Sequence, residues 1–332
     1  MTTPLLIDCD TGIDDALALL YAVASVDCEL AGVSCVAGNV GLSEIVRNTL
    51  AVLELAGRPD IEVAAGQDRP LERELRTASD THGPTGLGYA ELPLPERGPS
   101  ERDGADLIIA GARSRPGELT LVTLGPLSNV AVALQREPRL PSLLGDLVMM
   151  VGSYRSPGNT APTMEWNAGV DPEALATVLQ GWEEAAARDA SVARPRAFGL
   201  DVTERVKMMP GHLDLLAAEA GDPDIPMVRF VSDALRFYFE FHSRYDGFYG
   251  AFIHDALAVA AAIDPGIATA QAVRVEIELE GRWTTGETVT DWRRAWGREA
   301  NLDVAVEADV ESFFERFIGR VGRLAAATSA AR

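Results

Sequence analysis

Cationic side chains are scarce in this chain, and scarcest where it begins. Its 29 Lys and Arg include a single lysine, Lys207, and stand against 50 Asp and Glu, for a formal charge of -21. No basic residue precedes Arg47, although Asp8, Asp10, Asp14, Asp15, Asp27, Glu29 and Glu44 all do. Nucleic acid and anionic membrane surfaces select basic patches, so neither is an expected partner. The three cysteines, Cys9, Cys28 and Cys35, match no zinc or redox spacing and read as buried thiols of a reducing compartment. No stretch approaches the ~20 apolar residues of a membrane span. The opening residues MTTPLLIDCD lack the basic start of a secretory signal, so the expected location is cytoplasmic. Histidine occurs four times, at His82, His212, His242 and His254, which leaves few candidates for proton transfer near neutral pH.

What remains is a chain of 332 residues, 47% hydrophobic, with ample apolar material for an ordinary core. Pro4 to Asp8 reads as a buried strand, Asp10 to Gly12 as a turn, and Ile13 to Ala24 as a helix with Ile13, Leu17, Leu20 and Tyr21 on one face. A second strand, Leu30 to Val36, leads through Gly38 and Asn39 to a helix from about Ser43, its expected N-cap, to Leu55. Strand then helix, twice in sixty residues, indicates parallel βαβ units. Leu119 to Leu124 and Asp146 to Val151 continue the series. The expected fold is therefore α/β, an open, mostly parallel (mixed) sheet with helices on both faces, in one domain spanning residues 1–320. Residues 321–332 read as a frayed tail of small residues. Arg69 to Pro99 and the aromatic stretch Glu240 to Phe252 read as lid or binding loops. Glu183 to Arg196 reads as a charged, solvated insertion.

In an open parallel sheet the ligand lies beyond the carboxyl ends of the strands. That rule gathers Asp8, Asp10, Asn39 and the loop from Gly152 to Asn167 on one rim. Asp8, Asp10, Asp14 and Asp15 fall within eight residues at a strand end and a helix start. The helix dipole offsets only ~0.3 to 1 kcal/mol of their repulsion, so an oxygen-ligated divalent cation is the economical partner. A cluster dominated by hard oxygen donors, with no His nearby in sequence, favours Ca²⁺ or Mg²⁺ over zinc. His254-Asp255, opening the apolar helix Ala256 to Ile263, reads as an acid beside a metal ligand. Asn159, Glu165, Trp166 and Asn167, neutral amides with one carboxylate, offer the donors and acceptors of a polyol site. His212, at a helix start, reads as structural.

Taken together, these residues resemble the nucleoside hydrolase family, the inosine-uridine preferring ribohydrolases. The resemblance is carried by Asp8-Cys9-Asp10-Thr11-Gly12-Ile13-Asp14-Asp15-Ala16, Gly38-Asn39, His82-Gly83, Leu124 to Asn129, the Asn159, Glu165 and Asn167 set, and Ile253-His254-Asp255. Thr11 stands where the family often has proline. The resemblance implies a Rossmann-like nucleoside hydrolase fold and hydrolysis of the N-glycosidic bond of ribonucleosides. It implies a Ca²⁺ held by Asp10, Asp15, Asp255 and the carbonyl of Leu124, with Asp10 as general base toward the attacking water. Asp14, Asn39, Asn159, Glu165 and Asn167 would hold the ribose. His254 would be the general acid, His82 and the aromatic loop would close over the base, and His242, where relatives often carry an aromatic residue, would stack on the base or protonate it. It further implies a homodimer or homotetramer. Two other readings compete: a non-catalytic nucleoside or ribose binder, and a haloacid dehalogenase-type phosphatase. The phosphatase motif wants Thr or Val where Gly12 stands and leaves Asp14 and Asp15 unexplained.

Overall fold

In a computed structural model, residues 2–330 are described. The strands are β1 (Thr3–Cys9), β2 (Cys28–Cys35), β3 (Val63–Ala65), β4 (Thr120–Thr123), β5 (Asp146–Met150), β6 (Arg196–Phe198), β7 (Lys207–Met208), β8 (Ala251–Phe252), β9 (Ala268–Ile277), β10 (Thr288–Asp291) and β11 (Leu302–Ala308). Nine of them form one sheet in the order β10-β9-β11-β6-β5-β4-β1-β2-β3. The run from β11 to β3 is parallel, and β9 and β10 add an antiparallel edge. A separate two-stranded pair, β7 with β8, stands apart from it.

The helices are α1 (Ile13–Ala24), α2 (Leu42–Leu55), α3 (Ser79–His82), α4 (Gly104–Ser114), α5 (Ser128–Arg136), α6 (Leu140–Leu143), α7 (Trp166–Val170), α8 (Pro172–Arg188), α9 (Leu200–Thr203), α10 (Pro210–Ala220), α11 (Pro226–Tyr245), α12 (Asp255–Ile263) and α13 (Val310–Ala330). They cover both faces, so the central strands are apolar on both sides. In β1, Leu5, Ile7 and Cys9 enter the core shared with α1, α2, α11, α12 and α13, whereas Leu6 enters the core shared with α4, α5 and α8. The period of two that splits Leu5 from Leu6 also sends Asp8 to the α5 face.

Four expectations are corrected. Residues 321–330 are the second half of α13 rather than a frayed tail: Val321 and Ala325 are buried, and Phe317 stacks on Tyr21 at 6.0 Å between ring centroids. Their small side chains allow close helix packing. Residues 331 and 332 lie outside the described residues. The charged segment from Glu183 is largely solvated, as expected, but its first six residues complete α8 and do not form a separate element: Ala185 is buried and Glu183 accepts from the buried Arg274 guanidinium at 2.6 Å. Phe241, His242 and Tyr245 belong to α11 and not to a loop, which starts only at Asp246. Gly41, in extended backbone, caps α2 in place of Ser43. Of the three thiols, all free, Cys9 and Cys35 are buried and Cys28 is half-buried.

Candidate active site

The carboxyl ends of β1, β2, β4 and β5 converge with the N-termini of α1 and α12 on the floor of a cavity of about 530 Å³, a size suited to a small ligand. Asp14 and Asp15 come from the first turn of α1, and Asp255 opens α12. Oxygens of these three buried carboxylates lie within 4.8 Å of one another. Both helix dipoles favour negative charge there. Asp10 follows β1, and Asn39 ties it to Asp15. The Asn39 backbone N–H donates to Asp10 Oδ2 at 2.7 Å, and its side-chain amide donates to Asp15 Oδ2 at 3.2 Å and to the Asp10 carbonyl at 3.1 Å.

Burial pushes the carboxyls of Asp10, Asp14 and Asp255 well above the usual range, with the charge of Asp15 and of other nearby carboxylates as a further cause. Burial raises Asp15 to about 6, with hydrogen bonds opposing it. Among the described residues no Lys or Arg bridges any of the four. Asp10 Oδ1 and Asp15 Oδ1 are buried without a partner. Orphaned carboxylate oxygens crowded at one point are the donor set of a hard divalent cation, and the residues fit such an ion.

Asp8 belongs elsewhere. Its carboxylate accepts from Asn129 Nδ2 at 2.8 Å, and the same amide donates to Ser34 Oγ and the Cys35 carbonyl, both at 2.9 Å. The four clustered aspartates therefore divide, with Asp8 on the α5 side of the sheet edge.

Asp14, Asn39, His82, Leu124, Asn159, Glu165, Asn167, His242, His254 and Asp255 all line the cavity, while Asp10 and Asp15 lie beneath it. Asn167 Nδ2 donates to the carbonyls of Leu124 at 2.7 Å and Met150 at 3.0 Å, which leaves Leu124 one further lone pair. Glu165 caps α7, its carboxylate accepting from the backbone N–H groups of Gly152, Asn167 and Ala168. Asn159 accepts from the Trp166 N–H at 3.1 Å. His82 Nδ1 accepts from the Ile13 N–H at 3.1 Å, and burial holds its pKa down at about 3. His254 Nδ1 lies 2.7 Å from Thr203 Oγ1, and burial lowers it to about 3.

Sequence reasoning missed Tyr238, Glu204 and Asp246, which also line the cavity. Tyr238, His242 and Tyr245 follow helical spacing along α11, a signal that was legible but obscured by reading the aromatic stretch as a loop. Glu204 and Asp246 carry no local signature. His212, as expected, is structural: its Nδ1 accepts from the Met209 N–H at 3.0 Å and its ring stacks on Phe314 at 4.1 Å.

Fold and site together define an α/β protein in which carboxylates at the carboxyl edge of a parallel sheet floor a polar cavity of small-ligand size. The chain belongs to the family of the inosine-uridine preferring nucleoside hydrolases, whose model matches residues 5–315. It is 34% identical over 322 residues to the pyrimidine-specific ribonucleoside hydrolase RihA of Salmonella paratyphi B, covering 97% of this chain and 99% of that protein. It is 33% identical over 327 residues to the inosine-uridine preferring nucleoside hydrolase of Crithidia fasciculata, covering 98% and 99%. Among solved structures, the purine-preferring ribonucleoside hydrolase from Gardnerella vaginalis superposes with a TM-score of 0.89 at 29% identity, covering 98% of this chain and all of that one.

Proposed function

We propose that this protein hydrolyses the N-glycosidic bond of ribonucleosides, releasing free base and ribose. The observation that carries the reading is the nest of Asp10, Asp14, Asp15 and Asp255 beneath a polar cavity, with buried carboxylate oxygens left without partners, in a chain of this family. Asp10, Asp15, Asp255 and the Leu124 carbonyl would hold a divalent cation, with Ca²⁺ favoured by the all-oxygen donor set. Such a cation, when bound, acidifies water and offsets carboxylate charge.

Asp10 presents an unpartnered Oδ1 to remove the proton of the attacking water. Asp14, Asn39, Asn159, Glu165 and Asn167 receive the ribose hydroxyls, and a sugar lacking one leaves buried polar groups unpaired, which disfavours deoxy substrates. Glu165 does this through whatever lone pairs its three backbone donors leave free. Anionic side chains around the ribose stabilise an oxocarbenium-like state. His82, His242 and His254 surround the base end of the cavity. His254, opposite the Thr203 hydroxyl, is the sequence's candidate acid.

A phosphatase using Asp8 as nucleophile fits poorly, since Asp8 is fully buried and held by Asn129. A non-catalytic binder would keep the cavity, so turnover is the discriminating measurement. Incubation with inosine, uridine, cytidine and adenosine, followed by chromatography of free base, tests it, and binding without base release would overturn hydrolysis. The proposal includes a cytoplasmic homodimer or homotetramer acting in nucleoside salvage or catabolism, with light scattering testing the assembly. No helix among the described residues is long and apolar enough to cross a membrane.

A further inference from the structure

Near the end of α11, the two ring nitrogens of His242 have unlike surroundings. Nδ1 lies 2.7 Å from Oδ2 of Asp246, four residues on. Nε2 is buried without a partner, on a residue that is 5% exposed and lines the cavity. An ionised carboxylate only accepts hydrogen bonds, so the proton sits on Nδ1 and Nε2 is the atom left for a ligand. The ring plane is fixed by packing: Phe248 stacks at 5.6 Å, Phe252 meets it edge-on at 4.9 Å, and Tyr238 lies tilted at 4.7 Å between centroids.

The other two imidazoles of the cavity differ in kind. His82 Nδ1 accepts a backbone N–H, which requires that nitrogen to be unprotonated. His254 Nδ1 faces a neutral hydroxyl, that of Thr203. Among the described residues only His242, of the three, has a carboxylate within hydrogen-bond distance. A carboxylate on Nδ1 orients an imidazole and stabilises its protonated form, the arrangement by which a histidine delivers a proton from Nε2.

We propose that His242, oriented by Asp246, is the acid that protonates the departing nucleobase, with His254 left to hydrogen-bond the substrate. The inference rests on the nucleoside hydrolase reading given above. As the bond from C1′ to the base nitrogen breaks, its electron pair passes to the base. His242 acts as the imidazolium, with one proton held on Nδ1 by Asp246 and a second, taken from solvent, on Nε2; that second proton moves to the nitrogen or carbonyl oxygen of the base that has gained that density. Water adds its hydroxyl to C1′ and gives its proton to the Asp10 carboxylate. Asp10 returns a proton to solvent and His242 takes one up, so each turnover consumes one water and no net proton.

The charged and titratable groups around the dyad come from several elements. Glu204 and Lys207 flank it from the α9 to β7 segment, His254 from α12, His82 from α3, and Tyr238 and Tyr245 from α11 itself. Burial pushes the His242 pKa down, and Asp246 pulls it back up. Asp246 has a half-exposed side chain, 41% accessible, and connects the dyad to solvent for reprotonation.

The test compares inosine and uridine, whose bases leave poorly, with p-nitrophenyl riboside, whose leaving group needs no proton, using the cation-loaded enzyme. His242→Gln should lower kcat on both nucleosides by about 100-fold or more, and Asp246→Asn by about 10-fold, with p-nitrophenyl riboside retained within about threefold. The wild-type kcat on nucleosides should fall at high pH as the imidazolium is lost. That limb should vanish in His242→Gln and move to lower pH in Asp246→Asn, where the cation has lost its partner. Equal losses on all three substrates, or nucleoside turnover within threefold of wild type in His242→Gln, would overturn the proposal alone. A folded wild-type enzyme that releases no base or nitrophenol would overturn the hydrolase reading and the proposal with it. Asp246→Asn alters a half-exposed group outside the core, so it reports even where His242→Gln folds poorly.

Discussion

Gly38 leaves the space that the Asp10 carboxylate fills: a Cβ built at residue 38 would sit 2.1 Å from Asp10 Oδ2 and 3.0 Å from Pro126 Cδ. Gly125 presses from the other side, its added Cβ falling 2.7 Å from Asp10 Oδ1. Two residues without side chains thus define where the proposed base stands, between the ends of β2 and β4. Gly38→Ala should displace Asp10 and reduce kcat on nucleosides by at least about tenfold, since small misplacements of a reacting group are costly. Gly98→Ala, where a Cβ meets nothing within 4 Å, is the matched control and should leave kcat unchanged. A Gly38→Ala enzyme of wild-type rate would show that the Asp10 position is not critical.

Cation binding should be visible in stability as well as in rate. Added Ca²⁺ should raise the Tm of the chelator-treated protein in a concentration-dependent way, because a ligand that binds only the folded state stabilises it by mass action. Asp15→Asn removes one charge from the nest and should abolish most of that rise. If Ca²⁺ shifts the variant and the wild type equally, the ion binds somewhere other than beside Asp10, Asp15 and Asp255.

Asn129 should matter for stability rather than chemistry. Its amide donates to the buried Asp8, Ser34 and Cys35 and accepts from the N–H of the half-buried Gln67 at 2.7 Å. Asn129→Ala leaves the Asp8 carboxylate and the Gln67 N–H without this partner, while the Cys35 carbonyl keeps the Gly66 N–H, and each unsatisfied buried partner costs about 1–3 kcal/mol. Urea denaturation should show a loss of roughly 2–4 kcal/mol, while KM for nucleoside measured on the folded fraction stays near wild type.

Glu204 supplies a pH signature. Burial, with the charges of Asp246 and Asp201 adding to it, raises its pKa from 4.5 to about 7. The folded state therefore holds a proton that the unfolded state releases between those values. Its contribution to stability is fully present below pH 4.5 and is lost as pH rises through about 7. Glu204→Gln should gain Tm relative to wild type at pH 8 and show no such gain at pH 4. A pH-independent difference would mean that Glu204 is not held protonated.

Local sequence carried much of this molecule. The apolar runs of β1, β2, β4 and β5 and the 3.6-residue spacing of α1 follow from short-range periodicity, and α1 begins and ends as that spacing predicts. Asp14, Asp15 and Asp255 are legible because helix starts at strand ends gather charge at one rim whatever the rest of the chain does. Phe241, His242 and Tyr245 were harder to place, since aromatic residues near a Gly-Phe-Tyr-Gly run read equally as loop or as helix end.

What tertiary structure alone decided are relations between distant residues. Asp8 and Asp10 are two positions apart, yet one is captured by Asn129, 121 residues on, and the other by Asn39. Residues 321–330 pack as helix only because α1 and α10 offer a surface for them. His242 meets Asp246 locally, but its bare Nε2 acquires meaning from the cavity that β5, α7 and α12 close around it. Periodicity dictates which face of an element is apolar. Which partner a polar side chain finds depends on chain segments brought together only when the sheet is assembled and its helices pack.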